Sequence, residues 1–207
     1  RKLKILLFVG LLLAFSNCKV SAFNRDISFA LGQYNITDVW GEPPSSDSGG
    51  VTHVRLFALT NIIGGYGCYG TGGTTEKTYF IPITHSAIQI QIDLYFIDAW
   101  DGERLFLWVD GSPKSTHAQG SSSTNLCGDN APDYVKAVTT ANISHTTSTL
   151  TVKFTIEANA GDTDESWGLK NLKIIVWPVC DSSCATCFGN SNSECYSCND
   201  GWFLLGN

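Results

Sequence analysis

Asp98-Ala99-Trp100-Asp101-Gly102-Glu103 brings three carboxylates into one short segment. Carboxylate oxygens are the ligands Ca²⁺ prefers, and millimolar affinity is enough outside a cell. Asp98, Asp101 and Glu103 are therefore the candidate metal ligands, with calcium the candidate ion. Asp110 and, from another loop, Asp162, Asp164 and Glu165 are candidates to complete the shell. The spacing is not that of an EF-hand. A second account thus stands beside the first: a solvated turn in which Asp98 or Asp101 accepts backbone N–H groups and Trp100 packs beneath.

A carboxylate pair such as Asp98 and Glu103 is also what a glycosidase needs, provided that the separation is right. Other catalytic signals are missing. There is no G-x-S-x-G, no H-E-x-x-H and no P-loop, and Gly70-Thr71-Gly72-Gly73 has no helical pattern after it to bind phosphate. No catalytic residue is assigned, and the chain reads as non-enzymatic. His85 precedes an apolar alternation and is expected to be a hydrogen-bonded structural group. Flat aromatic faces offer apolar contact to sugars. Of the six tryptophans, Trp40, Trp100 and Trp202 lie near turns and are the ones able to face a ligand, whereas Trp108, Trp167 and Trp177 fall in or beside strand patterns and are expected in packing.

Cys180, Cys184, Cys187, Cys195 and Cys198 follow C-x3-C-x2-C-x7-C-x2-C, in a segment too poor in apolar residues to hold a shape without cross-links. Zinc and disulfides both suit such a pattern, and the amino terminus decides between them. Arg1, Lys2 and Lys4 precede the apolar run Ile5 to Phe15, and Val20-Ser21-Ala22 supplies a signal-peptidase site before Phe23. Eleven residues are about half of what a bilayer-spanning helix requires. Residues 1–22 are thus expected to be a cleaved secretory signal, and in an oxidising compartment thiols pair with one another. Loss of Cys18 leaves seven cysteines. An odd number is expected to find its last partner beyond Asn207, with a free thiol or an intermolecular bridge as alternatives. The expected pairs are Cys68 with Cys127, pinning two glycine-rich loops, then Cys184 with Cys195 and Cys187 with Cys198.

The whole chain carries a net charge of −6, but residues 1–22 hold four of the 13 basic residues and none of the 19 acidic ones. The remainder is at −10, a charge that repels phosphate backbones and argues against nucleic acid as a partner. Asn35-Ile36-Thr37 and Asn142-Ile143-Ser144 are N-glycosylation acceptors, which makes Asn35 and Asn142 candidate modification sites.

The elements that must position these residues read as strands. Ser86 to Ile97 alternates with Ile88, Ile90 and Ile92 on one face; Leu105 to Val109 and Leu150 to Ile156 repeat the period of two. Val51 to Thr60, Thr78 to Ile83, Tyr134 to Thr140 and Leu169 to Trp177 are further candidates. Gly41 to Gly50, Gly64 to Gly73, Gly111 to Gly120 and Ala158 to Asp164 separate them as loops. No stretch has a convincing helical period. Eight or nine strands predict an all-β fold, an antiparallel jelly-roll-like β-sandwich over residues 23–178. Pro178 marks its end, and residues 179–207 form a small disulfide-rich module.

Gly64-Gly65-Tyr66-Gly67, Thr78 to Pro82 with His85, Tyr95 to Glu103 and Val109-Asp110-Gly111, followed by Glu165-Ser166-Trp167-Gly168 and the cysteine pairs, together resemble a domain of large protist cell-surface proteins, especially those of ciliates. In those proteins furin-like or growth-factor-receptor-like cysteine repeats follow the domain. The resemblance covers residues 24–207; here one partial repeat stands where a long array is usual. It implies an extracellular or surface-displayed module without known catalysis. The function expected is adhesive or ligand-binding, with glycans or other surface proteins as partners. The alternative is a structural subunit of a surface coat or extracellular filament, a homo-polymer in which Phe23 to Asn35 adds a strand to a neighbour's sheet.

Overall fold

The computed structural model describes residues 25–30, 33–38, 54–57, 60–129, 131–157 and 159–202. The expected signal peptide, Cys18, Trp40 and the loop 41–50 lie outside them. Among the described residues fourteen strands run in chain order: β1 (Arg25–Ala30), β2 (Gln33–Asp38), β3 (Val54–Phe57), β4 (Thr60–Gly64), β5 (Thr74–Phe80), β6 (His85–Asp98), β7 (Arg104–Val109), β8 (Ser112–Ala118), β9 (Tyr134–Thr139), β10 (Ile143–Ser144), β11 (Thr149–Ile156), β12 (Glu165–Pro178), β13 (Cys184–Cys187) and β14 (Cys195–Cys198).

The chain is an all-β, antiparallel sandwich of the jelly-roll kind with a small disulfide-bonded unit after it. One sheet has eight strands, centred on β12 and β6, the longest elements at 14 residues each. β6 lies along one edge of β12; β4 and β2 share the other edge, β4 at Gly168–Leu169 and β2 at Leu172–Val176. The change of partner falls where the β6 register shifts, between Lys170 and Lys173, with Asn171 at φ +58°. β9 and β10 pair the far edge of β6. The second sheet runs β5-β11-β7-β8.

Alternation places the core. Ile88, Ile90, Ile92, Leu94 and Phe96 of β6 face Leu105, Leu107 and Val109 of β7 and Leu150, Val152 and Phe154 of β11, all within one buried cluster. Each such side chain contributes about 1.5–3 kcal/mol on burial. β7 thus turns its aliphatic set inward, and Trp108 is half-buried, its indole N–H donating to Thr155 Oγ1 at 2.8 Å. Trp167 is fully buried as expected, against Tyr69 at 4.8 Å between ring centroids.

One local expectation is corrected. Residues 112–118, expected to be loop, form β8: Ser-Pro-Lys-Ser-Thr-His-Ala has no apolar alternation because the strand lies on a sheet edge and is mostly exposed. For Trp100 the exposed alternative gives way to the packed one: it is only 8% exposed and lies edge-on against Phe96, with centroids 4.9 Å apart and planes at 83°. Trp202, another of the tryptophans near turns, is exposed.

In the terminal unit β13 and β14 form a hairpin. The Cys184–Cys195 disulfide is present. Cys187, however, joins Cys180, at a Cα–Cα distance of 5.5 Å, and Cys198 keeps a free thiol. Chain reversal after Pro178 carries Cys180 back to the hairpin, an approach that spacing alone does not show. The expected Cys68–Cys127 bridge is also absent: Cys68 is disulfide-bonded, and Cys127 carries a thiol. The Cys68 sulfur is already engaged, and the Cys127 segment is held by its own loop. Asp133 Oδ2 accepts the N–H groups of Leu126 and Cys127 at 2.6 and 2.8 Å, and Cys127 packs against the Ile62, Tyr95 and Ile97 cluster.

Candidate functional site

Four loops gather at the end of the sandwich where β6 finishes: residues 65–73, 99–103, 119–133 and 157–164. Asp98 ends β6 at φ +66°, a left-handed turn that few non-glycine residues adopt. From there Ala99 N–H donates to the Asp164 carbonyl at 3.0 Å, which ties the acidic segment to the loop before β12.

The three predicted ligands are split. Asp101 and Glu103 stay together, and the third member of their group is Glu165, at the start of β12; one oxygen or more from each lies within 4.8 Å of the others. Asp98 points elsewhere. It is 1% exposed, and its Oδ1 accepts the Asp129 N–H at 3.0 Å while its backbone N–H donates to Asp133 Oδ1 at 3.0 Å. The left-handed turn at Asp98 aims its carboxylate into the 119–133 loop. Asp110 sits at the opposite end of the sandwich, in the β7–β8 turn.

The trio's oxygens serve the loops. Glu103 Oε2 accepts the Asp101 N–H at 2.9 Å, and Oε1 accepts Asn159 Nδ2 at 2.7 Å. Glu165 Oε2 accepts the N–H groups of Asn159 and Ala160 at 2.8 and 3.0 Å. Asp101's carboxyl is pushed up by its hydrogen bond to Glu103 and by that neighbour's charge. Burial works against Glu103's charge, but the N–H groups around it outweigh burial and hold its carboxyl below the usual range. Three hard oxygen donors suit Ca²⁺ in kind. Their hydrogen bonds close the turn over Trp100, which is the structural account raised from the sequence.

Beside this closure lies a cleft of about 350 Å³, lined by Cys68 to Gly73, Gly161 and Asp162. Its walls are two glycine-rich loops bonded to each other: Gly67 N–H donates to the Asp162 carbonyl at 2.6 Å, and Thr71 N–H to the Ala160 carbonyl at 3.3 Å. Glycine is required at position 70 because a Cβ there would overlap the backbone of Asp162. Such walls present peptide N–H and C=O groups, a threonine and one exposed carboxylate, with no basic side chain among the lining residues. The glycine clusters were visible in the sequence as loops. Their meeting, some 90 residues apart, was not.

No protein-family model matches the chain, and no curated protein matches it. Among solved structures it is similar to the CBM36-1 domain of a multidomain xylanase from the hindgut metagenome of Trinervitermes trinervoides, at 16% identity and TM-score 0.41 over 60% of this chain and 86% of that one. A family 35 carbohydrate-binding module from an environmental isolate gives 14% identity and TM-score 0.39 over 61% and 83%. An exo-β-1,3-galactanase of Phanerochaete chrysosporium gives 18% and 0.33 over 61% and 26%. Among the described residues no helix is long and apolar enough to cross a membrane.

Proposed function

We propose that this chain is a non-enzymatic, ligand-binding module of an extracellular glycoprotein, and that its loop end takes a neutral, hydroxyl-rich ligand, a glycan, in the cleft between residues 68–73 and 161–162. The cleft carries the reading. Its volume of about 350 Å³ is within the range of small-ligand sites. A wall of peptide groups with an exposed Asp162 offers donors and acceptors to hydroxyls, and the absence of lysine or arginine from the lining makes it a poor receptor for anions. Two further observations support the reading. The Asp98 and Glu103 pair that hydrolysis would need is divided, Asp98 being sealed into another loop. The disulfides Cys180–Cys187 and Cys184–Cys195 fit an oxidising compartment.

The test is a glycan array on the secreted protein, followed by calorimetric titration of any hit with Asp162→Ala and Gly70→Ala, and with Lys114→Ala at the far end as control. A loss of about tenfold or more, ~1.4 kcal/mol, is expected for both cleft variants and none for the control. Glycan binding that survives both cleft variants, or no binding to any neutral glycan, would discard the cleft. Repeating the titration with excess chelator separates a cation-bridged ligand from one held by hydrogen bonds alone.

A further inference from the structure

At the opposite end of the sandwich two buried histidines meet. His85, the first residue of β6, is 1% exposed, and His145, just after β10, is 6% exposed. Their rings are nearly parallel, at 15°, and His85 Nε2 lies 2.6 Å from His145 Nδ1. The outer nitrogens are also engaged. His85 Nδ1 is 2.8 Å from the Ile83 carbonyl, and His145 Nε2 is 3.1 Å from Asp110 Oδ2 and 3.2 Å from Thr147 Oγ1.

Counting protons along this line fixes its charge. A carbonyl only accepts, so His85 Nδ1 carries a proton. Thr147 gives its hydroxyl proton to the Thr149 carbonyl at 2.9 Å and so presents lone pairs to His145, as does the Asp110 carboxylate. His145 Nε2 therefore carries a second proton. Two bare nitrogen lone pairs do not approach to 2.6 Å, so a third proton lies between the rings. Three protons on two imidazoles make one positive charge, which Asp110 balances. Asp110 is itself held by β11, where Oδ1 accepts the Thr151 N–H at 2.8 Å and its own N–H donates to the Thr151 carbonyl at 2.9 Å.

We propose that His85, His145 and Asp110 form a singly protonated clasp that locks this end of the sandwich at neutral pH and opens in acid, loosening the seat of the cysteine-rich module. The clasp joins the β5–β6 connection, the β7–β8 turn and the β10–β11 connection. The module rests on the first of these: the Thr84 carbonyl accepts the Val179 N–H at 3.0 Å, Thr84 Oγ1 accepts Asn190 Nδ2 at 3.4 Å, and Pro178 pairs His85 in register. Asp110 is the charged group facing the pair from the β7–β8 turn. Ile83 from the β5–β6 connection, Thr147 and Thr149 from the β10–β11 connection and β11, and Pro178 of β12 do not titrate.

A second excess proton would leave two N–H groups facing each other across 2.6 Å, with one half-exposed carboxylate to balance two charges. Burial accordingly pushes His145 below its ordinary 6.5, with the His85 charge adding to the effect and Asp110 opposing it. A histidine with a depressed folded value contributes stability that is complete above its unfolded value and is lost as pH falls through the folded one.

The experiment has two arms on the full chain. Nitrogen-15 spectra of the histidine rings at neutral pH are expected to show three protonated nitrogens on the His85–His145 pair, one proton shared. Two neutral rings would overturn the proposal without any mutation. Limited proteolysis at residues 178–183 is expected to quicken about tenfold as pH falls from about 7 to about 5. In His145→Gln the same cleavage should be independent of pH. Junction cleavage that is flat with pH in the unmutated chain, or equally acid-dependent in the variant, would also overturn it.

Discussion

The indole N–H of Trp100 donates to the carbonyl of Ser166 at 2.9 Å, joining the turn after β6 to the start of β12 inside the protein. The bond explains why an acidic segment with a tryptophan at its centre packs instead of presenting the ring to solvent. Ser166 is fully buried, so its carbonyl has no water to fall back on. Trp100→Phe should keep the edge-on contact with Phe96 but orphan that carbonyl and leave a void, at a cost of about 2–3 kcal/mol by denaturant unfolding. Trp202→Phe, on an exposed ring, should stay within about 0.5 kcal/mol. Equal losses for the two would contradict this assignment.

How far the sequence reveals such relationships depends on their range. β6, β7 and β11 are legible because each turns one side to the core, and Ile88, Ile90 and Ile92 alternate accordingly. β8 is hidden because an exposed edge strand needs no pattern. Glu165 appears in the sequence as one acid among several; register with Asp98 across β6 and β12 brings it to Glu103. His85 reads as a lone structural histidine because His145 is 60 residues away. Cysteine spacing points to one pair, Cys184 with Cys195, but the Cys180–Cys187 bond depends on how the chain turns after Pro178.

That connectivity is directly measurable. Non-reducing peptide mapping should return Cys180 linked to Cys187 and Cys184 linked to Cys195, and alkylation should label Cys198 without prior reduction. Replacing Cys184 and Cys195 together by alanine removes the closure of a loop with sequence separation 11, worth about 3 kcal/mol in the chain-entropy model. Amide protection in β13 and β14 should vanish, while protection in β6 and β12 remains. A Cys187–Cys198 peptide would restore the pairing expected from spacing.

Gly128 shows how tightly the 119–133 loop is fitted to the end of β6. It has φ +81°, and a Cβ there would overlap the Asp98 carboxylate. Gly128→Ala should therefore destabilise by about 2–3 kcal/mol, from backbone strain and displacement of Asp98 together. Adding Asp98→Ala removes the overlap but not the strain, so the double variant should lose less than the sum of the two single ones. Strict additivity in a double-mutant cycle would mean that the two residues do not press on each other.

Asp98 itself sets a pH dependence. Burial is the main cause that raises its carboxyl from 3.8 to about 6; the Asp129 N–H opposes it, and the charges of Asp133 and Asp129 add to it. Its Oδ2 is buried with no hydrogen-bond partner, so the ionised form has a charge that nothing on that side satisfies. For an acid whose folded value is raised, protonation favours the folded state. The contribution is complete below the unfolded value and is lost as pH rises through about 6. Asp98→Asn keeps an oxygen for the Asp129 N–H and cannot ionise. The variant should match the parent near pH 4 and exceed it above pH 7 by on the order of 1–2 kcal/mol, a figure reduced from the full shift for solvent screening near the loop. Unfolding free energies measured across that range, with His145→Gln as background to remove the histidine pair's acid transition, decide the matter: an Asn variant that is no more stable than the parent at high pH would mean that Asp98 carries its charge without penalty.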